Sequence, residues 1–317
     1  MRKFIVFLAL ALVIVFSKTS YASDQIEDLN KKENIKQSET QERPTSEQDS
    51  ETEDNEVDEE SEEVEAEETE ENEDLVDEQP ISYEIHPNAR PVPVLMFHDV
   101  GYIGVKSFSD ANFIFKDNLE RKLKILIKNG YTTITSKDLY DNWIYGKELP
   151  EKPVLLSFDD GYASHFSYVQ RMFTRLDIKA TFYIIQDRLF MDMPGRDLKG
   201  LRDLVESGQE IGVHTYSHKD FTDLTYDEIY QEVATCKNFL EEELGTKLDT
   251  FSYPYGNYND AAIQVLKDLG FRTAVTTREG LGRPDQFEAD NVLKISRYNI
   301  FNSTTDQQFQ KMIDGLK

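Results

Sequence analysis

Two short polar motifs combine carboxylate and imidazole groups at spacings that suit metal chemistry. They are Asp159-Asp160-Gly161 and His214-Thr215-Tyr216-Ser217-His218. Adjacent carboxylates raise each other's pKa unless a cation is near, so one can ligate a metal while its neighbour stays free as a base. Asp160, His214 and His218 form a two-histidine, one-carboxylate set that leaves coordination positions open for water and substrate. Each motif alone is common in turns or on surfaces, but together they predict a metal site.

The polar residues of both motifs, and a further histidine, each follow a short run of strand-forming residues. The three pairs are 94–97 with His98, 154–158 with Asp159, and 210–213 with His214. The carboxyl ends of parallel strands meet on one face of an α/β barrel, where active sites form. We therefore expect these side chains to converge on that face.

Other candidate residues have weaker contexts. Residues 250–253 read as a strand that leads into Pro254-Tyr255-Gly256, which is either an ordinary loop or a lining of the site with a backbone N–H for an oxyanion. His86 and His165 are interpreted as solvent-facing or packing residues. The single cysteine, Cys236, lies on the apolar face of a helical pattern, which indicates a buried small hydrophobe.

The elements that position these residues alternate between helix and strand from Tyr83 onward. Glycines at four helix-to-strand junctions suit helix ends in the left-handed conformation: Gly130, Gly208, Gly245 and Gly270. The predicted strands are 92–97, 131–134, 154–158, 180–185, 211–213, 250–253, 271–275 and 293–295. About eight strands, mostly separated by helices, predict the α/β class with a parallel sheet that is closed, or incompletely closed, as a barrel.

The first residues have the features of an export signal. Arg2 and Lys3 precede the apolar run 4–16, and Ser20-Tyr21-Ala22 has the small-x-small pattern of a cleavage site. We expect a signal peptide over 1–22 and a secreted or cell-surface protein. An uncleaved membrane anchor is the alternative, although the run is shorter than the roughly 20 residues of a spanning helix.

Residues 23–80 carry most of the negative charge, with 26 acidic residues against four basic ones. Such a segment buries too little apolar surface to offset its ordering entropy, so we expect a disordered linker. It would serve either as a spacer from a membrane or cell wall or as a solubilising tail. A chain this acidic is an implausible partner for nucleic acid. Residues 81–317 suffice for one large α/β domain, which we expect to be monomeric.

The motifs resemble those of the polysaccharide deacetylases, carbohydrate esterase family 4, with their nodulation-protein-B-like domain. Residues 157–161 resemble the family's Thr-Phe-Asp-Asp-Gly motif, 214–218 its His-Ser/Thr-x-x-His motif, and 253–256 part of its third motif. Residues 95–100 are similar to the permuted branch, which includes the poly-N-acetylglucosamine deacetylases and places the catalytic histidine before the Asp-Asp pair. The resemblance covers residues 91–317 and implies a catalytic domain with a distorted (β/α) barrel of seven or eight parallel strands.

The resemblance also implies a ligand set. Asp160, His214 and His218 are expected to bind a divalent metal, for which we expect zinc.

The same resemblance implies catalytic roles for three residues. Asp159 is expected to be the general base, His98 the general acid and the Tyr255 N–H the oxyanion donor. Many members carry an arginine two residues before the third motif's proline, where this chain has Ser252. Arg297 either supplies that missing charge or forms a surface salt bridge.

The implied reaction removes N-acetyl groups from an extracellular amino-sugar polysaccharide. Poly-N-acetylglucosamine is the first choice of substrate, followed by peptidoglycan N-acetylglucosamine and then by chitin-type oligomers or acetylxylan. A non-haem iron oxygenase shares the ligand set but not the alternation of helices and strands. An inactive carbohydrate-binding relative would usually lack a ligand or the base, and this sequence has both.

Overall fold

Seven parallel strands close into a barrel in the computed structural model, which describes residues 81–101, 112–191, 196–286 and 290–315. The predictions for 1–22 and 23–80 lie outside these residues. In order around the barrel the strands are β1 (Val94–Phe97), β10 (Ile295–Asn299), β9 (Thr273–Glu279), β8 (Thr250–Ser252), β7 (Glu210–Val213), β6 (Thr181–Ile184) and β5 (Pro153–Phe158). Pairing of β1 with β5 closes the ring. The predicted parallel α/β barrel is confirmed.

The barrel is distorted where an eighth strand joins it. Strand β4 (Thr132–Ile134) pairs with the first three residues of β5, and β6 pairs only with the last two. The strands β2 (Asp99–Gly101) and β3 (Phe113–Phe115) form a separate parallel pair, which the sequence patterns did not predict.

Helices fill the connections between the strands. They are α1 (Lys116–Lys128), α2 (Ser136–Tyr145), α3 (Gln170–Leu176), α4 (Leu198–Glu206), α5 (Tyr226–Leu244), α6 (Asp260–Asp268) and α7 (Asp306–Ile313). Thr135, Thr225 and Thr305 each form a capping box, which satisfies free N–H groups at a helix start. The four junction glycines all have φ between 62° and 82°, as predicted. Within the described residues, no helix has the length and apolar character to cross a membrane.

Strands β1, β5 and β6 are buried along their length, which explains their nearly continuous apolar sequences. The Phe158 ring stacks between Phe97 and Phe182, with centroids 4.9 and 5.1 Å away. Cys236 is fully buried, as predicted, and burial raises the pKa of its thiol to about 12. Its position on α5 therefore serves packing.

One predicted strand needs correction, and one histidine with two open alternatives can now be assigned. The last strand was predicted at 293–295, but Asn291–Leu293 is a 3₁₀ turn and the strand runs over Ile295–Asn299. Arg297 consequently lies inside a strand and not after it. Of the two alternatives for His165, solvent-facing or packing, the structure shows packing, because the residue is fully buried in the π-helical turn His165–Val169.

Candidate active site

A cleft of about 410 Å³ opens at the carboxyl ends of the barrel strands. It collects the side chains that the sequence placed at strand ends, together with residues from neighbouring loops. Its lining comprises Met96, His98, Asn112, Asp159, Asp160, Arg188, His214, His218, Tyr253, Tyr255, Thr277, Asn299 and Phe301. The convergence expected from the sequence is therefore what the structure shows.

Asp160, His214 and His218 form the cluster at the centre of this cleft. The Asp160 Oδ1 atom lies 3.5 Å from His214 Nε2 and 3.6 Å from His218 Nε2. The same Oδ1 is buried and has no hydrogen-bond partner, a costly state for a carboxylate oxygen. The other oxygen, Oδ2, pairs with Arg188 Nη1 at 3.1 Å. One Asp160 oxygen is thus directed at two imidazole nitrogens.

Both imidazoles present a nitrogen suited to ligation. His214 Nδ1 lies 2.6 Å from the Ser252 carbonyl, which can only accept, so Nδ1 carries the proton and Nε2 has its lone pair free. Burial lowers the pKa of His218 to about 4. His218 is therefore neutral at pH 7, as a metal ligand must be.

The cluster fits a small divalent cation. Donor atoms about 2.1 Å from a tetrahedral ion lie about 3.4 Å from one another, close to the two distances above. Backbone conformation is also unusual here: Asp160, Thr215 and His218 have φ of 77°, 68° and 65°, in the left-handed region that such residues rarely adopt. A cation would satisfy the unpartnered Oδ1, and the two histidines and one carboxylate are donors that zinc accepts.

Asp159, the neighbour of Asp160, is held by a buried arginine. Arg297 donates to both Asp159 oxygens, from Nη1 to Oδ1 at 2.8 Å and from Nη2 to Oδ2 at 2.7 Å. Its remaining donors reach Ser157 Oγ, Ser252 Oγ and the Thr276 carbonyl. All five N–H groups of the guanidinium are used, and the side chain is 0% exposed. Arg297 therefore lies against Asp159 inside the barrel and forms no surface salt bridge.

Ser252 occupies the position where many family members carry arginine. It donates from Oγ to Asp159 Oδ2 at 3.1 Å and accepts from Arg297. A short hydroxyl at this position leaves room for a guanidinium that comes from β10. Burial alone would raise the pKa of Asp159, but the charge and hydrogen bonds of Arg297 outweigh it and lower the pKa to about 2. Asp159 is ionised at neutral pH.

Replacing Arg297 by methionine should destabilise the protein by about 3–5 kcal/mol, because it leaves the Asp159 carboxylate buried without its partner. The wild-type Arg297–Asp159 pair stabilises the fold at pH values above the pKa of an ordinary carboxyl group. This contribution is lost as the pH falls toward 2. The free energy of unfolding, measured by urea titration between pH 7 and pH 3, should therefore differ most between the two proteins at neutral pH.

Arg202→Met is the matched control for this comparison. Arg202 is half exposed and pairs with Glu243 at 2.6 Å, so its loss should cost less than about 1 kcal/mol. If Arg297→Met and Arg202→Met lower the free energy of unfolding by similar amounts, the buried Arg297–Asp159 pair does not have the importance assigned to it.

His98 enters the cleft from the strand beside β5. Phe97 of β1 is in register with Phe158 of β5, and the Asp159 N–H donates to the Phe97 carbonyl at 3.0 Å. The chain order hides this proximity, because β1 closes the ring. The buried His165 fixes the backbone here, with Nε2 2.8 Å from the His98 carbonyl. Burial lowers the pKa of His98, and the carboxylates of Asp159 and Asp160 oppose that shift.

Tyr255 borders the cleft on the loop after β8. Its backbone is left-handed, with φ 58°, and its carbonyl accepts from Thr277 Oγ1 at 2.9 Å. Its ring contacts that of His218, with centroids 4.6 Å apart. The proposed oxyanion role of its N–H stays a prediction.

Arg188 and Glu232 are site residues that the sequence reasoning missed. Arg188 lies in the 3₁₀ turn Asp187–Phe190, which follows β6 at the same end of the barrel as the two histidines. Glu232 projects from α5, is 5% exposed, and accepts from the N–H and hydroxyl of Ser217 at 2.9 and 2.8 Å. It braces the loop between the two histidines, and no local signal marks it.

Comparisons with known proteins agree with this geometry. Residues 146–274 match the family model described as "Polysaccharide deacetylase". The Bacillus subtilis (strain 168) protein YxkH is 25% identical over 226 residues, which cover 71% of this chain and 77% of that protein. The crystal structure of BC0361, a polysaccharide deacetylase from Bacillus cereus, is 27% identical and superposes with a TM-score of 0.62 over 71% of this chain and 69% of its own.

A third relative is longer. The poly-beta-1,6-N-acetyl-D-glucosamine N-deacetylase of Escherichia coli (strain K12) is 25% identical over 239 residues, 62% of this chain and 34% of that enzyme. This chain thus aligns with about a third of it. Fold and site together define a parallel-barrel protein with a carboxylate and histidine centre at the strand ends. The chain contains a polysaccharide deacetylase domain.

Proposed function

We propose that this protein hydrolyses the N-acetyl groups of N-acetylglucosamine units in an extracellular polysaccharide and releases acetate. The observation that carries the proposal is that two neighbouring carboxylates, Asp159 and Asp160, have different partners. Asp159 is bound on both oxygens by Arg297, whereas Asp160 directs a free oxygen at two histidines. One carboxylate is thus arranged to move a proton and the other to bind a cation, which is the division of roles that amide hydrolysis needs.

The residues of the cleft then have distinct tasks. A divalent metal held by Asp160, His214 and His218, for which zinc is our choice, would supply Lewis acidity toward water and the acetyl carbonyl. Asp159 accepts the proton of the attacking water, and Arg297 holds its carboxylate in place. The Tyr255 N–H donates to the oxyanion.

The departing amine needs a proton, which His98 supplies from the neighbouring strand. The register of β1 with β5 places His98 beside Asp159, which supports these two roles. The products are acetate and a glucosamine unit with a free amine.

Poly-N-acetylglucosamine is our preferred substrate, and peptidoglycan N-acetylglucosamine is the second candidate. The order of His98 before the Asp-Asp pair supports the first, as does the similarity to the Escherichia coli enzyme. The features of residues 1–22 support export, with the acidic residues 23–80 as a spacer toward a membrane or wall. Chitin-type oligomers and acetylxylan are weaker candidates.

Acetate release from these polymers tests the proposal. The metal-loaded full-length protein should release acetate fastest from poly-N-acetylglucosamine, and a protein with Asp159→Asn should serve as the inactive control. Faster release from peptidoglycan would reverse the order of substrates. An absence of acetate with every polymer would favour an inactive carbohydrate-binding protein.

A further inference from the structure

A second groove, of about 390 Å³, lies beside the cleft and shares a wall with it. The wall is the loop 214–219. His214 and His218 line the cleft, whereas Tyr216 and Lys219 line the groove. A single short loop therefore separates the proposed catalytic centre from the groove, so a chain-like ligand bound in one would lie close to the other.

The floor of the groove is one face of α5. Asp227, Gln231 and Thr235 follow each other at four-residue spacing, which places them on the same side of the helix. Gln231 and Thr235 are exposed, and neither side chain bonds to another residue that the structure describes. An amide and a hydroxyl are thus available to a ligand, with both donors and acceptors for sugar hydroxyls.

Tyr216 provides an aromatic edge whose backbone is fixed. Its N–H donates to the Glu232 carbonyl at 2.9 Å, and its carbonyl accepts from the Asp187 N–H at 3.0 Å. The side chain nevertheless stays 40% exposed. An exposed ring held on a rigid backbone can pack against the apolar C–H face of a pyranose at low cost in conformational entropy.

Other exposed apolar side chains lie on the same face. Among the described residues, Phe190, Met191, Tyr216 and Tyr255 are exposed and follow the strands β6, β7 and β8 at their carboxyl ends. Two of them line the binding surfaces themselves: Tyr255 borders the cleft and Tyr216 borders the groove.

We propose that the groove is a second sugar subsite, which binds the unit next to the one whose acetyl group is removed. The inference rests on the proposed function, since it takes the ligand to be the same amino-sugar polymer. An aromatic edge, a free amide, a free hydroxyl and a shared wall with the catalytic cleft together fit a neighbouring pyranose.

The charge of the groove favours a unit that has already lost its acetyl group. Asp227, Glu228 and Glu232 line it against a single cation, Lys219, which pairs with Glu232 at 2.8 Å. The excess of carboxylates attracts the ammonium group of glucosamine and repels anionic sugars. The enzyme would then act most readily beside a unit that it has deacetylated.

Chain-length dependence tests the subsite. The metal-loaded wild-type protein should have a higher kcat/KM for the hexamer of N-acetylglucosamine than for the dimer. Tyr216→Ala should reduce this hexamer-to-dimer ratio by about threefold to tenfold, because a stacking contact is lost. Gln231→Ala, an exposed position on the helix that leaves the fold undisturbed, should reduce it by about twofold to threefold.

Tyr145→Ala is the matched control, because Tyr145 is an exposed tyrosine at the end of α2, away from the strand carboxyl ends. The hexamer-to-dimer ratio of kcat/KM for this variant should equal that of the wild type. If Tyr216→Ala and Gln231→Ala both keep the wild-type hexamer-to-dimer ratio, the subsite is overturned while the deacetylase function stands. A lack of acetate from either oligomer would instead refute the proposed function.

Direct binding tests the charge preference without turnover. A fully deacetylated glucosamine hexamer, titrated calorimetrically, should bind the metal-loaded wild-type protein more weakly as salt rises, because salt screens exposed charges. Asp227→Asn should weaken that binding by up to about fivefold. Equal affinity of Asp227→Asn and wild type for the glucosamine hexamer would overturn the preference for a cationic unit.

Discussion

His214→Ala should lose both bound metal and activity. The substitution removes one of three donors, and it removes the one whose tautomer is fixed by the Ser252 carbonyl. Because a bound metal contributes several kcal/mol of transition-state stabilisation, turnover should fall by about 10³-fold or more. Metal content after dialysis, measured by plasma mass spectrometry, and acetate release should fall together. Asp160→Ala and His218→Ala should behave alike.

Asp159→Asn is the control that separates the ligand set from the base. Asparagine has nearly the same shape and can still accept from Arg297, but it cannot take a proton at pH 7. The variant should therefore retain metal and lose about 10²- to 10⁴-fold in turnover. Stoichiometric metal in the His214→Ala protein would refute the ligand assignment, whatever its activity.

The sequence was informative about the cleft because strand ends in a parallel barrel share one face. Asp159 and His214 directly follow β5 and β7, and those strands were recognisable as short apolar runs between helices. Their side chains can then be predicted to lie on one face without any further information about packing. Arg188 obeys the same rule, but a single arginine in a turn after β6 has no motif that draws attention to it.

Arg297 shows where such reasoning stops. In the sequence it stands between Ser296 and Tyr298, a context that fits a surface strand as well as an interior one. Only barrel closure makes the position interior, where Ser157 and Ser252 receive its donors. The same closure brings His98 beside Asp159, so the positions of both residues depend on two long-range pairings, those of β1 with β10 and with β5.

His98→Ala should lower turnover by about 10²- to 10⁴-fold and leave metal content unchanged, because it removes the proton donor for the departing amine and no ligand. The acid must be protonated to act, so wild-type activity should fall as the pH rises through the His98 pKa. Burial lowers that pKa, although Asp159 and Asp160 oppose the shift, so the descending limb should lie at lower pH than for an exposed histidine. In the variant this limb should flatten.

A purely structural role for His98 predicts a lower melting temperature with nearly normal turnover. Turnover, metal content and melting temperature, all measured on His98→Ala, therefore distinguish the two roles. Its backbone carbonyl, not its side chain, receives the contact from His165, so alanine keeps that contact and should leave the melting temperature nearly unchanged. His165→Ala is the matched comparison: it should lower the melting temperature, because it empties a fully buried site, and change turnover less than His98→Ala does. Turnover of His98→Ala within a few-fold of wild type would remove this residue from the mechanism and leave another group to protonate the amine.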